Sequence, residues 1–534
     1  VSPPVDAPAG APAPPGPPAP LPAAAAGERI YRQGLLPSGK PLRGRREGDV
    51  DVQGATAACA TCHRRSGLGS WEGQSVIPPI IGRYLFRPGA RNVEDAELPH
   101  VLGFVPHRVP YTEATLARAI RDGVDQQGRR LSYLMPRYAL DDATMSSLIS
   151  YLRGLTSRAE PGVGKDTLQF ATVVTPDADP AARDGMLAVL RQFFADKNAG
   201  YRGDAPPLQS TRGVMYRVLR KWQLQVWELS GPPDTWEAQL HARQAATPVF
   251  AVLSGIGGRT WAPVHAFCER AGVPCLFPNA DLPVAAEQDF YPLYFSRGVL
   301  LEAQLVAHAL RARGEGEGPR RVVQVVREGD VGADAAAALR AALPAGTAGE
   351  VRTVPAGANG AALAAALAGV GPADALVLWL RPAELSALPA PPPARAVFAS
   401  GILGGLERAP LPAAWRPVAR LAYAYDLPEQ RRVRMGFPLG WFKVRNLPLL
   451  DERVQTDTYL ACTLLAEALG HMQDSFVRDY LVERLEVLVS HRLVNGYYPR
   501  LGLGPGQRFA SKGGYLVRLA PGGGVVAETG WIVP

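Results

Sequence analysis

The 534-residue chain contains no run of eighteen apolar residues, so no segment reads as a membrane-spanning helix. Charged residues are few, 20% against 47% hydrophobic, a balance that fits a globular chain and not a disordered one. The net charge of +8 comes from arginines scattered singly, with one basic cluster at Arg43-Gly44-Arg45-Arg46, so nothing points to nucleic-acid binding. Hydrolytic signatures are missing: there is no H-E-x-x-H, no G-x-S-x-G and no carboxylate pair at a defensible spacing. Gly162-Val163-Gly164-Lys165 falls short of a phosphate-binding loop at its first glycine and its last residue, and reads as linker. No charged and apolar leader opens the chain at Val1, which suggests a processed or trimmed form.

Cysteine is scarce, and two of the five lie in Cys59-Ala60-Thr61-Cys62-His63. C-x-x-C-H is the string by which a chain carries covalent haem. Thiols one helical turn apart add to the two vinyl groups of one porphyrin, and the adjacent histidine faces the iron. A zinc site would need a second pair of ligands at similar spacing, and a thioredoxin-like pair would need a strand–helix–strand setting. Neither follows.

A second axial ligand is expected downstream, and Leu134-Met135-Pro136-Arg137-Tyr138 offers a thioether in a loop stiffened by proline. The competitors are Met145, His100 and His107. Met145 lies inside the amphipathic pattern Asp141 to Leu152, whose opening acids suit a helix N-terminus, so the helix sets its direction. Met135 is therefore the expected partner of His63. Upstream, Gly27 and Tyr31 stand four apart on a short helix, where glycine permits close helix approach and Tyr31 can pack on Leu148 and Tyr151.

From about Gly27 to Ser157 the chain resembles a class I cytochrome c, an all-α domain with one covalent haem c. The likeness is carried by Gly27, Tyr31, Cys59, Cys62, His63, Pro78-Pro79-Ile80-Ile81-Gly82, Met135-Pro136, Leu148 and Tyr151. It implies that Pro78 offers its carbonyl to the His63 Nδ1–H, a bond that fixes the ring and strengthens it as a donor. It also makes Thr112 to Asp122 the middle helix, capped by Thr112 and Gly123. Iron held by His63 and Met135 has both axial positions filled, so electron transfer is expected and oxygen chemistry is not. Haem is attached to C-x-x-C-H outside the bacterial cytoplasm, so the resemblance implies a periplasmic protein. The arginine-rich stretch Lys40 to Asp51 is an insertion that leaves the partner surface open.

Residues 1–26 are nearly all proline, alanine and glycine and read as a semi-rigid tether or a leader remnant. A linker is expected over 158–167. Beyond it, short apolar runs alternate with helical stretches, which argues two parallel sheets with helices on both faces. Strands are expected at Gln169–Thr175, Gln223–Leu229, Val249–Ser254, Val273–Phe277, Arg321–Val326, Ala375–Leu380, Ala396–Ser400 and Arg420–Tyr425. Residues 168–534 resemble the type I periplasmic binding proteins, the family of the branched-chain amino-acid receptors of ABC transporters. The carrying stretches are Pro248–Gly255, Pro263–Arg270, Ala271–Pro278, Tyr294–Arg297 and Thr456–Thr463.

That resemblance implies an α/β fold of two lobes closing on a ligand, with contacts from loops at the carboxyl ends of strands. The candidate cleft residues are Gly258, Thr260, Asn279, Asp281, Asp330 and Arg381. Amino-acid receptors of the family place a hydroxyl residue near Asp281 and an aromatic at Val331. An acid in a carboxylate cradle repels the usual ligand, so the region is expected either to take another small molecule, with a cationic group near Asp281, or to serve as a docking surface with a filled cleft. Cys268 and Cys275 flank a short Gly/Pro loop and are candidates for a disulfide, with buried thiols as the alternative. Cys462, Trp222, Trp227 and Trp236 read as core.

The expectation is thus a multidomain periplasmic electron-transfer protein: a cytochrome c domain over 27–157 and a binding-protein-like domain over 168–534. It would accept electrons from a dehydrogenase, first of all a quinoprotein (PQQ-dependent) one, and pass them to another cytochrome or an oxidase. The alternative is a solute-binding or sensing protein of ABC-receptor type whose haem is coupled to ligand occupancy. An oxidoreductase is a third reading.

Overall fold

The computed structural model describes residues 22–72, 75–89, 108–156, 160–200, 208–209, 215–216, 220–311, 318–472, 475–491, 495–521 and 523–534. The chain divides near residue 158 into two compact units. His100 and His107, most of the 1–26 segment and the start of the 158–167 linker lie outside the described residues.

The first unit has helices α1 (Ala23–Gln33), α2 (Cys59–His63), α3 (Gly82–Leu85), α4 (Glu113–Asp122) and α5 (Asp142–Gly154). Gly27 is what lets α1 and α5 touch: a Cβ there would sit 2.7 Å from the Tyr151 Cβ and press on the Ser147 backbone. The Tyr31 and Tyr151 rings then meet at 5.3 Å, tilted by 48°. Thr112 caps α4, accepting from Thr115 N, and Gly123 closes it in the left-handed region at φ 68°.

The unit is not all-α, because two antiparallel hairpins interrupt it, β1 (Arg43–Arg46) with β2 (Val50–Gln53) and β3 (Ser70–Glu72) with β4 (Ser75–Ile77). The first hairpin is the Lys40–Asp51 insertion. Its Arg45 exchanges backbone hydrogen bonds of 3.0 and 2.8 Å with Arg137, so the insertion braces the Met135 loop.

The second unit contains two doubly wound sheets. The first comprises β5 (Thr167–Val174), β8 (Lys221–Glu228), β9 (Ala251–Leu253), β10 (Cys275–Leu276) and β11 (Pro292–Leu293), all parallel in the order β11-β10-β9-β5-β8, and a short hairpin β6 (Leu208–Gln209), β7 (Met215–Tyr216) precedes β8. The second comprises β12 (Arg321–Arg327), β13 (Ala348–Val354), β14 (Asp374–Trp379), β15 (Ala396–Ser400) and β16 (Ala419–Tyr423), parallel in the order β13-β12-β14-β15-β16. Antiparallel β17 (Tyr515–Leu519) and β18 (Val525–Ala527) extend its edge. Both sheets therefore reverse strand order at their first strand, and such switch points open a crevice beyond the carboxyl ends of the strands.

Around the sheets lie α6 (Pro180–Ala199), α7 (Trp236–Ala246), α8 (Ala262–Ala271), α9 (Val299–Arg311), α10 (Gly332–Ala342), α11 (Gly360–Leu367), α12 (Pro382–Ser386), α13 (Gly401–Gly404), α14 (Pro428–Val444), α15 (Glu452–Met472) and α16 (Arg478–His491). No helix among the described residues is long and apolar enough to cross a membrane. Trp222, Trp227, Trp236 and Cys462 are buried.

The described part of the expected 158–167 linker is packed structure. Gly162 accepts from Gln169 N at 2.9 Å, Gly164 N donates to Thr167 O at 2.8 Å, and Arg478 donates to Pro161 O at 3.3 Å. The Gly/Lys turn is the entry to β5.

Candidate functional site

Two cavities gather the sequence-predicted residues, one in each unit. In the first unit a cavity of about 510 Å³ is lined by Cys59, Cys62, His63, Pro78 and Met135. Most of the remaining wall is apolar, including Ile77, Leu116, Ile120 and Leu148. Met145 is buried in α5 and is not part of that wall.

His63 Nδ1 lies 2.9 Å from the Pro78 carbonyl oxygen. A carbonyl only accepts, so the ring carries its proton on Nδ1 and leaves the Nε2 lone pair available. Burial lowers the His63 pKa, against the Pro78 bond that raises it. Burial also pushes the Cys59 thiol up to about 12. Arg137 donates to the Met135 carbonyl, and the Tyr138 hydroxyl donates to Ala57 O at 2.8 Å, tying the methionine loop to the turn before Cys59. This donor set fits haem c: two thiols a turn apart, a neutral imidazole with an oriented lone pair, and a thioether on the same cavity wall.

In the second unit a cleft of about 890 Å³ lies beyond the carboxyl ends of both sheets. Gly258, Asn279, Asp281, Asp330 and Arg381 line it. Thr260 does not. Its hydroxyl accepts from Ala262 N at 3.3 Å and so satisfies the first backbone N–H of α8. Val331 is buried at the start of α10 and offers no side chain to a ligand. The cleft is open, which corrects the expectation of one filled by side chains.

The charges are compensated from within. Arg381 forms a two-pronged pair with Asp330 at 2.7 and 2.9 Å and reaches Asp281 at 3.2 Å. Arg453, at the start of α15, approaches the other Asp281 oxygen at 3.3 Å. Asp281 therefore already has two guanidinium partners, and a ligand cation is not needed beside it. Burial works against the charge on Arg381, but Asp330 and Asp281 hold its pKa above the usual value. Burial likewise works to raise Asp330, and Arg381 brings it below the ordinary carboxylate range. Asn279 is turned inward, donating to Ser254 Oγ at 3.0 Å and Gly255 O at 3.2 Å.

Sequence reading missed Asp177 and, within the contact loop Gly255 to Thr260, did not single out Arg259. Asp177 follows β5 and accepts from Arg259 N at 2.6 Å, Gly258 N at 3.3 Å and Thr175 Oγ1 at 2.5 Å. Burial works to raise its pKa, but these donors hold it low. Arg259 pairs with Asp334 of α10 at 2.6 Å, so it joins the loop of one sheet to a helix of the other. The signal that could have found Asp177 is its place just past the first strand of a switch point. Cys268 and Cys275 are joined in a disulfide, Cα atoms 6.0 Å apart, across the turn from α8 into β10.

No family model matches the chain, and no curated protein matches it by sequence. Among solved structures it is similar to a fatty acid ABC transporter substrate-binding protein from Thermomonospora curvata, at 15% identity, covering 71% of this chain and 95% of that one with a TM-score of 0.50. It is also similar to a substrate-binding periplasmic protein from Ralstonia solanacearum, at 17% identity, 68% of this chain, 100% of that one and a TM-score of 0.49. A third is a branched chain amino acid ABC transporter from Thermus thermophilus with bound valine, at 13% identity, 70% of this chain, 98% of that one and a TM-score of 0.46. The first likeness fixes the fold: about 70% of the chain has the two-lobed α/β architecture of the periplasmic binding proteins.

Proposed function

We propose that the chain is a periplasmic solute-binding protein of ABC-receptor type that carries one covalent haem c, with the state of the haem coupled to occupancy of the cleft. The observation that carries the solute-binding reading is the open, polar cleft of about 890 Å³ at two strand-order switch points. Cys59 and Cys62 would hold the haem, with His63 and Met135 on its iron and Pro78 fixing the imidazole. Bound there, the group supplies one-electron redox chemistry. The test is a paired titration of the full, haem-loaded chain: a small molecule that raises the melting temperature of the second unit by mass action should also shift the haem potential. Binding with no change in potential would remove the coupling.

The second reading is electron transfer, with the binding-protein fold as an accessory. The predominantly apolar wall shared by Cys59, Cys62, His63 and Met135 supports it. A quinoprotein-type dehydrogenase is the proposed donor, and a cytochrome or oxidase the acceptor. In this reading Met135→Ala abolishes the weak far-red sulfur-to-iron band of the oxidised protein, and Met145→Ala leaves it intact. Persistence of the band in Met135→Ala would move the ligand role to another residue.

A further inference from the structure

We propose that Asp177 is a built-in carboxylate filling the cleft's own anion cradle, so that the ligand of the cleft carries no carboxylate or phosphate. This rests on the solute-binding reading and narrows its ligand class. Successive backbone N–H groups at a loop, such as those of Gly258 and Arg259 past β9, form a concavity that attracts anions. Here the loop past β5, on the other side of the switch point, delivers the chain's own anion into it. Asp177 Oδ2 accepts from Arg259 N at 2.6 Å, and Oδ1 accepts from Gly258 N at 3.3 Å and from the Thr175 hydroxyl at 2.5 Å.

Gly258 records the fit. Its φ is not positive, so the turn itself does not call for glycine. A Cβ there would stand 2.5 Å from the Asp177 carbonyl oxygen and 2.7 Å from its carboxylate carbon. Glycine at 258 makes room for the aspartate.

The cations beside Asp281 and Asp330 are spent in the same way, and the other two arginines of the wall, Arg327 and Arg408, each stand 3.7 Å from an acid of their own, Glu384 and Glu452. The Arg259 side chain is on Asp334, Arg381 is on Asp330 and Asp281, and Arg453 is on Asp281. Val331 N, at the start of α10, donates to Asp330 Oδ1 at 2.7 Å. A carboxylate entering the cradle would have to displace Asp177 from the Gly258 and Arg259 N–H groups and would then share the cleft with the Asp177, Asp281 and Asp330 carboxylates, which is a repulsive device against anions. A ligand without an acidic group meets no such barrier.

The experiment is thermal unfolding of the full, haem-loaded chain with acetate, inorganic phosphate and L-leucine as probes, on wild type, Asp177→Ala and Asp177→Asn. Wild type should show no saturable shift with any of the three. Asp177→Ala, with the cradle emptied, should gain a saturable rise in melting temperature with acetate, at an affinity at least about tenfold above wild type, as expected for charge-assisted N–H bonds to an anion. Asp177→Asn, which fills the same space, should respond like wild type. Saturable acetate or leucine binding by wild type at the affinity of Asp177→Ala would overturn the proposal, and so would a folded Asp177→Ala silent to all three probes. Should Asp177→Ala fail to fold, Asp177→Ser is held to the same two criteria. If no ligand of any class shifts wild type while Asp177→Ala gains acetate binding, the solute-binding reading fails and the cradle assignment stands.

Discussion

The two cavities are walled by different physics. In the first unit the wall is mostly packed apolar side chain, and two thiols, an imidazole and a thioether stand out from it as the groups able to bond a porphyrin and its iron. In the second unit acids and arginines dominate the wall and are paired with each other. A packed wall fixes a site through shape, so its determinants are apolar contacts and the close helix approaches behind them. An ion-paired wall fixes a site through charge balance, so its determinants are partners that sequence cannot pair.

The largest expected effect on folding falls on the packed side. Gly27→Val forces a side chain against the Ser147 backbone and the Tyr151 Cβ, where backbone cannot yield cheaply. The cost should be about 3 kcal/mol, the upper range for overpacking a tight contact. It should be nearly the same at low and high salt, because no charge is involved. Urea unfolding at two ionic strengths checks both points, and a strong salt dependence would mean that the α1–α5 contact behind the cavity is not held by packing.

The next effect sharpens the other side. Glu302 is fully buried in α9, where it accepts from Ile402 N at 2.8 Å and from the Ser400 hydroxyl. Burial raises its pKa to about 8. The folded chain therefore keeps a proton that the unfolded chain has already lost at neutral pH. Stability is fully present below the ordinary carboxylate range and falls as pH rises toward 8. Between pH 6 and 8 the loss should be about 2 kcal/mol, at 1.36 kcal/mol for each pH unit at most. Glu302→Gln, a neutral acceptor and donor of the same size, should remove that slope. An unchanged slope in the variant would assign it to another group.

How legible each side was follows from the same contrast. The chemistry of the first cavity sits in contiguous strings, Cys59 to His63 and Met135-Pro136, and the structure puts their side chains on one wall. Thr112 and Gly123 were readable as caps because capping is local. The insertion at Lys40–Asp51 was not readable, because its pairing with Arg137 joins residues some ninety positions apart. In the second unit, Ala396–Ser400 is a strand with the expected bounds, since five buried apolar or small residues carry the signal alone. Strand β13 was missed because its side chains alternate between exposed and half-buried at the sheet edge. Asp281 was visible as an acid in a loop, but its neutralisation comes from Arg381 and Arg453, residues 100 and 172 positions away. Thr260 was misread because a hydroxyl that binds the first N–H of a helix and one that faces a cleft look alike in sequence.

The smallest effect is the one that separates the two kinds of wall. Arg259 and Asp334 are both about 40% exposed, and Arg408 lies 3.7 Å from Glu452 with a largely exposed side chain. Exposed pairs of this kind contribute under about 1 kcal/mol and are screened by salt. Arg259→Gln should therefore lower stability by less than about 1 kcal/mol at low ionic strength, and the difference from wild type should vanish near molar salt, where the screening length is about 3 Å. Since the pair joins a loop of one sheet to a helix of the other, its loss should also widen the cleft. The distance between spin labels placed on α7 and α11 reports that, and should lengthen in Arg259→Gln and, at high salt, in wild type. A cleft that keeps its width in both cases would be held by packing, and the contrast with the first cavity would disappear.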